Sequence, residues 1–286
     1  MDIEKILQQM TLEEKADFCS GSDFWHTQPV ERLGVPAVMM SDGPSGLRKQ
    51  DEQGDHLGIN ESIPAVCFPS SAAVASSFDT ALAEKLGETL GNECRAENLA
   101  LLLGPGLNIK RSTLCGRNFE YFSEDPLLAG KCSAADVRGI QSRKVAASVK
   151  HFACNNRESN RFECDSRVSE RALREIYLRG FEICIKEADP WTVMSSYNII
   201  NGCHTSTSYE LLTEILKGEW GFKGMVTTDW GVHSHHSDEI LAGNDLKMGE
   251  GEPNELKEAY ENGKITRADL EACVRRILVM TINVAE

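Results

Sequence analysis

Several features that would indicate particular classes of protein are missing from this sequence. No stretch of about 18 or more consecutive apolar residues occurs, so we expect no transmembrane helix. No two cysteines have the Cys-x-x-Cys spacing, which argues against a zinc ribbon or a thiol redox motif. Neither Gly-x-x-x-x-Gly-Lys nor Gly-x-Gly-x-x-Gly follows a predicted strand. The chain therefore lacks the common phosphate-binding loops of nucleotide-binding proteins.

The charge balance is strongly acidic. The chain has 44 Asp and Glu against 30 Lys and Arg, which gives a net charge of -14. A charge of this sign repels nucleic acids and anionic membranes, so we expect neither as a partner. The first residues, from Met1 to Lys5, lack the basic and then apolar pattern of a signal peptide. Together with 10 cysteines that we read as reduced thiols, this predicts a cytoplasmic localisation.

Short apolar segments alternate with amphipathic segments along the chain. The apolar segments predict strands at 36–40, 99–103, 145–152, 192–196, 225–228 and 246–248. The amphipathic segments and capping patterns predict helices at 2–20, 79–98, 127–143, 169–188 and 266–279, and another that begins at a capping box at 207–210. Segment 49–63 is polar and predicts a mobile loop. The alternation indicates an α/β protein in which residues 1–286 form a single TIM-type (β/α)8 barrel domain.

An acid and an aromatic residue follow one of the predicted strands directly. Asp229 and Trp230 come after the strand at 225–228, and the C-terminal strand ends of a parallel barrel carry its chemistry. A carboxylate there can attack an anomeric carbon, and an indole beside it offers a flat apolar face to a sugar ring. The alternative is that Asp229 caps the next helix. Asp42 has the same placement after the strand at 36–40, where an Asx-turn is the competing interpretation.

Other polar side chains occupy similar positions at or after strand ends. The full set suits a polyhydroxylated ring, because carboxylates accept hydrogen bonds from hydroxyl groups and Arg and Lys donate to their oxygens. It consists of Asp42, Arg117, Lys150, His151, Arg161, Tyr197, Asp229 and Trp230. Three alternatives stay open. Arg117 could form an internal ion pair with Glu120 or Glu124. His151 could be a structural histidine whose hydrogen bonds are all made within the barrel, and Trp230 could belong to the core.

A series of motifs in this sequence resembles glycoside hydrolase family 3, in the same order and over nearly the whole chain. The motifs are Ser41-Asp42-Gly43-Pro44, the stretch from Gly116 to Pro126, Lys150-His151-Phe152, Ser196-Tyr197-Asn198, the stretch from Gly218 to Phe222, and Thr228-Asp229-Trp230-Gly231. The resemblance implies a TIM-type barrel, irregular in its first strands. It also implies the activity of a retaining β-glucosidase, which removes terminal non-reducing β-D-glucosyl units.

The resemblance also implies a role for each of the residues above. Asp229 is implied to be the catalytic nucleophile, Tyr197 to lie beside it and tune it, and Trp230 to form a wall of the sugar pocket. The hydroxyl groups of the terminal sugar are implied to be bound by Asp42, Arg117, Lys150, His151 and Arg161. Because a nucleophilic carboxylate must stay ionised, we expect the nearby Arg, Lys and phenol donors to lower the pKa of Asp229.

The sequence departs from the family pattern at the second carboxyl group. A retaining glycosidase needs a general acid/base about 5–5.5 Å from the nucleophile. In the β-glucosidase branch this residue is a Glu on an α/β sandwich domain that follows the barrel, and we expect that domain to be absent from this chain. The Gly-His-Gly context of the N-acetylglucosaminidase branch is also missing after Phe152. The acid/base is then lacking, comes from a second chain, or is a local acid such as Glu158, Glu163 or Asp165.

The main hypothesis is therefore an exo-β-glycosidase barrel that acts on β-glucosides and needs no cofactor. The alternatives are a β-xylosidase and a non-catalytic sugar-binding or scaffold barrel. The segment His233-Ser234-His235-His236 lacks convincing further ligands, so we expect no metal. A barrel that normally docks a sandwich domain should expose an apolar or mixed patch near its mouth, which predicts a tendency to form a homo-oligomer.

Overall fold

Strands and helices alternate along the chain in the computed structural model, which describes residues 2–50 and 61–285. The strands are β1 (Ser20–Gly21), β2 (Met40–Ser41), β3 (Leu101–Leu102), β4 (Ala146–Phe152), β5 (Asp165–Ser166), β6 (Thr192–Ser195), β7 (Ile199–Ile200), β8 (Cys203–His204), β9 (Met225–Thr227) and β10 (Lys247–Glu250). The α-helices are α1 (Ile3–Gln9), α2 (Leu12–Phe18), α3 (Ser71–Ala75), α4 (Thr80–Ala96), α5 (Pro126–Gln141), α6 (Glu170–Ala172), α7 (Arg179–Ala188), α8 (His236–Ala242), α9 (Pro253–Glu261) and α10 (Arg267–Ala285). Shorter turns of 3-10 helix cover Glu31–Leu33 and Thr205–Thr207, and π-helical segments cover Leu173–Tyr177 and Glu210–Glu219.

The parallel strands close into a ring. Strands β2, β3, β4, β6 and β9 pair side by side in that order. Thr227 of β9 also pairs in parallel with Leu246, the residue before β10, and β10 pairs in parallel with β1. The last gap is bridged by residues 26 and 27, which pair antiparallel with Met39 and Gly21. The prediction of a TIM-type barrel with irregular first strands is therefore confirmed.

Successive residues of each strand belong to different parts of the core. Leu102, together with Ala147 and Val193, packs with residues of helices α4, α5 and α7 outside the ring. Their neighbours Leu101 and Met194 belong to a second cluster, which also contains residues of α1, α2 and α10. This division follows from the two-residue repeat of a strand, which points consecutive side chains to opposite faces. The ring is thus apolar on both faces, as expected of a parallel barrel.

Several helices begin where the sequence predicts. The side chain of Asp79 accepts hydrogen bonds from the first turn of α4, and Thr11 and Glu14 form a reciprocal capping box at the start of α2. Thr266 and Asp269 exchange the corresponding bonds at the start of α10. These side chains satisfy backbone N–H groups that a helix cannot satisfy itself.

Three details of the helix prediction are wrong. Segment 2–20 contains two helices, because the backbone is extended at Met10 and Thr11 starts a new one. At 207–210 no capping box forms: Thr207 donates its hydroxyl to His204, and Ser208 accepts from the N–H of Leu211 instead. The last helix continues past residue 279 and reaches Ala285.

The structure also contains elements that the hydrophobic pattern does not reveal. Strands β5, β7 and β8 form a separate small sheet, and each is only two residues long, which is too short for a periodic signal. The predicted mobile loop at 49–63 falls largely on residues 51–60, which lie outside the described residues. Among the helices that are described, none has the length and apolar character needed to cross a lipid bilayer.

Candidate active site

The carboxylate of Asp229 lies two residues beyond the end of β9, at the C-terminal rim of the ring. Its Oδ1 accepts a hydrogen bond from the backbone N–H of Trp230 at 2.8 Å. Its Oδ2 has no hydrogen-bond partner among the described residues, although Asp229 is only 7% exposed. The next helix, α8, begins at His236, so Asp229 does not cap it. The second oxygen of this carboxylate is therefore buried without a hydrogen bond to the part of the chain that the structure describes.

Lys150, in β4, connects two carboxylates beside Asp229. Its Nζ lies 2.6 Å from Oδ1 of Asp42 and 3.5 Å from Oε1 of Glu120. Burial alone would lower the pKa of Lys150 and raise the pKa of Asp42, but their mutual attraction prevails. The pKa of Lys150 is therefore raised and the pKa of Asp42 is lowered, so both groups are charged at neutral pH. An Asx-turn at Asp42 is excluded, because the residue two positions on is Pro44, which has no N–H.

Arg117 forms the ion pair that the sequence left open as an alternative. Its Nε and Nη2 donate to the two oxygens of Glu120 at 2.8 and 2.9 Å, a bidentate arrangement. The guanidinium nevertheless lines the same cleft as Asp229 and Lys150. Glu120 therefore holds the guanidinium in a fixed orientation at the cleft.

His151 follows Lys150 in β4 and is neutral. Burial is the largest of the effects that hold the pKa of His151 well below its ordinary value, and the positive charges of Arg117, Lys150 and Arg161 add to it. Its Nε2 lies 3.6 Å from Oδ2 of Asp229, which is too long for a hydrogen bond. Its Nδ1 lies 3.1 Å from the hydroxyl of Tyr121. One ring nitrogen of His151, Nδ1, is thus hydrogen-bonded within the barrel, and the other, Nε2, faces the cleft.

The pKa of Asp229 is shifted in the opposite direction to the one we predicted. Burial raises the pKa of Asp229, and this effect exceeds the lowering by Arg117, the Trp230 backbone N–H, Lys150 and Tyr197. The sequence shows which donors are present but not how deeply the carboxylate is buried. The expectation of a lowered pKa is therefore wrong.

Tyr197 and Arg161 stack on each other at one side of the cleft. The guanidinium carbon of Arg161 lies 4.4 Å from the centre of the Tyr197 ring, a cation–π contact. Nη1 of Arg161 also donates to Glu158 at 3.1 Å. The Tyr197 hydroxyl donates to the backbone carbonyl of Trp230 at 2.6 Å, which places the phenol next to Asp229.

Trp230 belongs to the core and to the cleft at the same time. It is 5% exposed, and its indole N–H donates to the carbonyl of Phe24 at 2.6 Å. Its ring packs at 5.8 Å, centre to centre, against Trp25. The indole is therefore held rigidly, as a wall that binds the apolar face of a sugar must be.

All eight residues selected from the sequence line one cleft of about 400 Å³ at the C-terminal rim of the ring. They come from different strands and loops, and the barrel brings them together. Their individual roles in binding and catalysis stay predictions, since geometry alone does not assign them. Besides Asp229, three further carboxylates and four Lys or Arg side chains line the cleft, a composition that suits a neutral ligand rich in hydroxyl groups.

The cleft also contains residues that the sequence analysis did not select. Phe24 and Trp25 line it, although segment 21–34 gave no regular pattern. Two adjacent aromatic residues in a polar segment were the available signal. Other lining residues are Arg48, Leu103, Gly116, Phe119, Glu120, Glu158 and Met194.

The histidine-containing segment 233–236 lies apart from any cluster of metal ligands. His236 is buried and its Nδ1 accepts from the backbone N–H of Glu252 at 3.4 Å, whereas His233 packs against the ring of Phe162. Within residues 2–50 and 61–285, no group of three or more His, Cys, Asp or Glu side chains has the arrangement of a metal site.

Comparison with known proteins relates the sequence to one family. The family described as "Glycosyl hydrolase family 3 N terminal domain" matches residues 27–280. "Thermostable beta-glucosidase B" of Acetivibrio thermocellus is 53% identical over 281 residues, which cover 97% of this chain and 37% of that protein. "Exo-alpha-(1->6)-L-arabinopyranosidase" of Bifidobacterium breve is 47% identical over 267 residues, which cover 93% of this chain and 35% of that protein.

A solved structure agrees with the sequence comparison. The structure of beta-glucosidase 3B from Thermotoga neapolitana in complex with alpha-D-glucose superposes with a TM-score of 0.92 and 40% identity. The match covers 98% of this chain and 42% of that chain. The present chain therefore spans less than half the length of the relatives that it matches.

Proposed function

This chain belongs to glycosyl hydrolase family 3, and we propose that it is the barrel of a retaining exo-β-glycosidase that removes terminal non-reducing β-D-glucosyl residues. In this proposal residues 1–286 form one barrel domain, and Asp229 is the nucleophile. The observation that supports this role is that Oδ2 of Asp229, in a cleft lined by cations and an indole, has no hydrogen-bond partner in residues 2–50 and 61–285. Such an oxygen can attack an anomeric carbon without first giving up a hydrogen bond to the protein.

The remaining cleft residues then bind the terminal sugar. Lys150 and Arg117 donate hydrogen bonds to hydroxyl oxygens, and Asp42 accepts from a hydroxyl proton. His151 and Arg161 are donors on the same cleft, and Trp230 packs on the ring face. The buried pair of Lys150 and Asp42 keeps both groups charged, so each offers the stronger, charge-assisted kind of hydrogen bond.

We propose that the general acid/base comes from outside this barrel, from an α/β sandwich domain or from a second chain. Of the local candidates Glu158, Glu163 and Asp165, Glu158 lines the cleft and the other two do not. Both oxygens of Glu158 accept hydrogen bonds, from Asn155 and from Arg161. A carboxylate held as an acceptor on both oxygens fits a positioning role better than proton donation.

The test uses an aryl glucoside whose leaving group needs no protonation. With dinitrophenyl β-D-glucoside, the chain should release about one equivalent of phenol rapidly and then turn over slowly, because the second step lacks its base. Mass spectrometry of the trapped protein should locate one glucosyl unit on the peptide that contains Asp229. Asp229→Ala should abolish both signals, and Glu163→Gln is the matched control. A glucosyl label on another residue would refute the assignment of Asp229.

A second candidate substrate follows from the comparison with the arabinopyranosidase. That relative is 47% identical to this chain, and the β-glucosidase A of Butyrivibrio fibrisolvens is 44% identical, so sequence identity does not separate the two activities. β-D-Xylosides differ from β-D-glucosides only by the missing hydroxymethyl group, whereas α-L-arabinopyranosides lack that group and also have the opposite configuration at C4, so the substrates differ at one or two pocket contacts. The ratio of kcat/KM for the three aryl glycosides decides among them. A non-catalytic barrel is not favoured, since the relatives are named as enzymes.

Large apolar side chains are exposed near the cleft. Leu114 is 92% exposed and Phe119, which lines the cleft, is 65% exposed. We propose that this patch contacts the sandwich domain or, without it, a second copy of this chain. Light scattering tests the second case: Leu114→Ser with Phe119→Ser should reduce self-association. Equal self-association of the parent and the variant would contradict it.

The cysteines support a proposal for the cellular compartment. All 10 are free thiols, and most are buried. We propose a reducing compartment, the cytoplasm, for this chain. Mass spectrometry of the protein, alkylated as the cells are lysed in denaturant without reductant, should find all 10 cysteines alkylated and therefore unpaired.

A further inference from the structure

The hydroxyl of Tyr121 connects a side chain of strand β4 with a side chain of the loop that follows it, behind the cleft. It lies 3.1 Å from Nδ1 of His151 and accepts from Nδ2 of Asn155 at 3.2 Å. All three residues are almost completely buried, with exposures of 0–1%. Neither Tyr121 nor Asn155 belongs to the set proposed to bind sugar. Both lie behind His151, which does belong to it.

The direction of these hydrogen bonds follows from the chemistry of the partners. Nδ2 of Asn155 also lies 3.1 Å from Oε1 of Glu158, and a carboxylate only accepts, so the amide nitrogen and not the oxygen must face it. The same NH₂ group therefore donates to the Tyr121 hydroxyl. Burial raises the pKa of Tyr121 well above its ordinary value, so the phenol keeps its proton. That proton is left to be donated to Nδ1 of His151.

A neutral imidazole has one N–H and one acceptor nitrogen. If Nδ1 of His151 accepts from Tyr121, the ring proton must lie on Nε2. Nε2 faces the cleft, 3.6 Å from Oδ2 of Asp229, which itself lacks a hydrogen-bond partner among the described residues. The gap between these two atoms is too long for a direct hydrogen bond, so neither atom satisfies the other.

We propose that Tyr121 and Asn155 are positioning residues that fix the tautomer and orientation of His151, so that its Nε2–H donates to a hydroxyl of the bound sugar. This inference rests on the proposed function for its ligand, and on the hydrogen-bond order for its mechanism. The other supports of the histidine are consistent with it. Oδ1 of Asn108 accepts a hydrogen bond from the backbone N–H of His151 at 2.7 Å, and Nδ2 of Asn108 donates to the backbone carbonyl of His151 at 2.8 Å.

The packing around the phenol leaves it little freedom. A Cβ added to Gly106 would lie 3.0 Å from the ring of Tyr121, so only glycine fits there without displacing the ring. Gly106 also pairs with Tyr121 and with Lys150 in parallel bridges. The ring is therefore fixed by Gly106, which follows β3, and by its hydrogen bonds to β4 and to the loop after β4.

The ring proton of His151 can be located directly by ¹⁵N NMR of the chain labelled at its 7 histidines. A His151→Gln sample identifies the signals of this residue by difference. At neutral pH and without ligand, the proton should be on Nε2, and Nδ1 should have the chemical shift of a hydrogen-bonded acceptor. A proton on Nδ1 would overturn the proposal, because Tyr121 would then be an acceptor and Nε2 could not donate.

Two variants separate positioning from general stability. Tyr121→Phe keeps the ring and removes the hydroxyl; the Nδ1 signal should move to that of an unbonded nitrogen, and glucose binding should weaken about tenfold, the equivalent of one hydrogen bond. Thr192→Val also removes a buried hydroxyl, one that donates to Ala147 at the opposite end of the ring, and should leave the His151 signals and glucose binding unchanged. Glucose affinity of Tyr121→Phe within about twofold of the parent would overturn the proposal.

The two proposals fail in different ways. The tautomer is measured without ligand or turnover, so it does not depend on Asp229 being a nucleophile. If the proton lies on Nε2 but neither glucose binding nor glucosyl labelling is found, the proposed function is wrong and the hydrogen-bond order stands. If the labelling succeeds and the proton lies on Nδ1, the function stands and the positioning role is wrong.

Discussion

Removal of the Lys150 charge should destabilise the barrel far more than removal of a similar ion pair at the surface. Lys150 is 3% exposed and lies 2.6 Å from Asp42, whose side chain is 33% exposed. Breaking a buried pair by removing one partner costs about 3–5 kcal/mol. For Lys150 we expect a smaller cost, about 2–3 kcal/mol, because water reaches the side chain of Asp42. The charge of Glu120 also remains paired with Arg117 after Lys150 is removed.

The assay compares urea unfolding of Lys150→Met with that of Lys131→Met. Lys131 forms an ion pair of almost the same length, 2.7 Å with Glu187, but the two side chains are 46% and 39% exposed. The control should lose less than about 1 kcal/mol in the free energy of unfolding. Equal losses for the two variants would refute the reasoning, because burial would then make no difference to the strength of the pair.

The pH dependence gives a second test of the same substitution. With Lys150 present, the folded pKa of Asp42 lies below its ordinary value of 3.8, so the stabilisation is present above that pH and is lost as pH falls through the folded pKa. Without Lys150, burial and the weaker influence of Arg117 and Arg48 remain, so the folded pKa of Asp42 should be higher than in the parent. Protonation then relieves the unpaired charge, so the loss caused by Lys150→Met should be smaller at pH near 4 than at pH 7. A loss that does not change with pH would contradict this account.

Three further predictions concern other sites. Asp136 is buried, its Oδ1 has no hydrogen-bond partner in the described part of the chain, and burial raises its pKa to about 8. The parent should therefore lose stability as pH rises from about 4 to 8, whereas Asp136→Asn should show a flatter pH profile by urea unfolding; parallel profiles would contradict this. Asp229→Asn should be more stable than the parent at pH 7 by on the order of 1 kcal/mol, because burial raises the pKa of Asp229 and its Oδ2 has no hydrogen bond from any described residue. This gain should shrink near pH 4, and a loss of stability at pH 7 would contradict the explanation. Thr11→Ala should lower the free energy of unfolding by about 1 kcal/mol, because it removes the capping box of α2. An unchanged urea midpoint would show that the capping box does not contribute to stability.

Sequence periodicity predicted the long elements well and the short ones poorly. Strand β4 and helices α4 and α5 were found within one or two residues, because each is long enough to show its repeat. Residues 26 and 27, which help close the ring, have no such pattern, and their pairing depends on Met39 and Gly21. The small sheet of β5, β7 and β8 was missed for the same reason.

The order of strands and helices and the identity of the polar residues at the strand ends could be predicted from the amino-acid sequence. Both are local properties, since hydrophobic repeats and turn residues act over a few positions. The charge state of those residues and the hydrogen bonds that hold them depend on the folded chain. The pKa of Asp229 depends on its burial, and the hydrogen bond from Asn155 to Tyr121 joins residues 34 positions apart. Distances of this kind exist only once the ring has closed, because chain neighbours do not fix them.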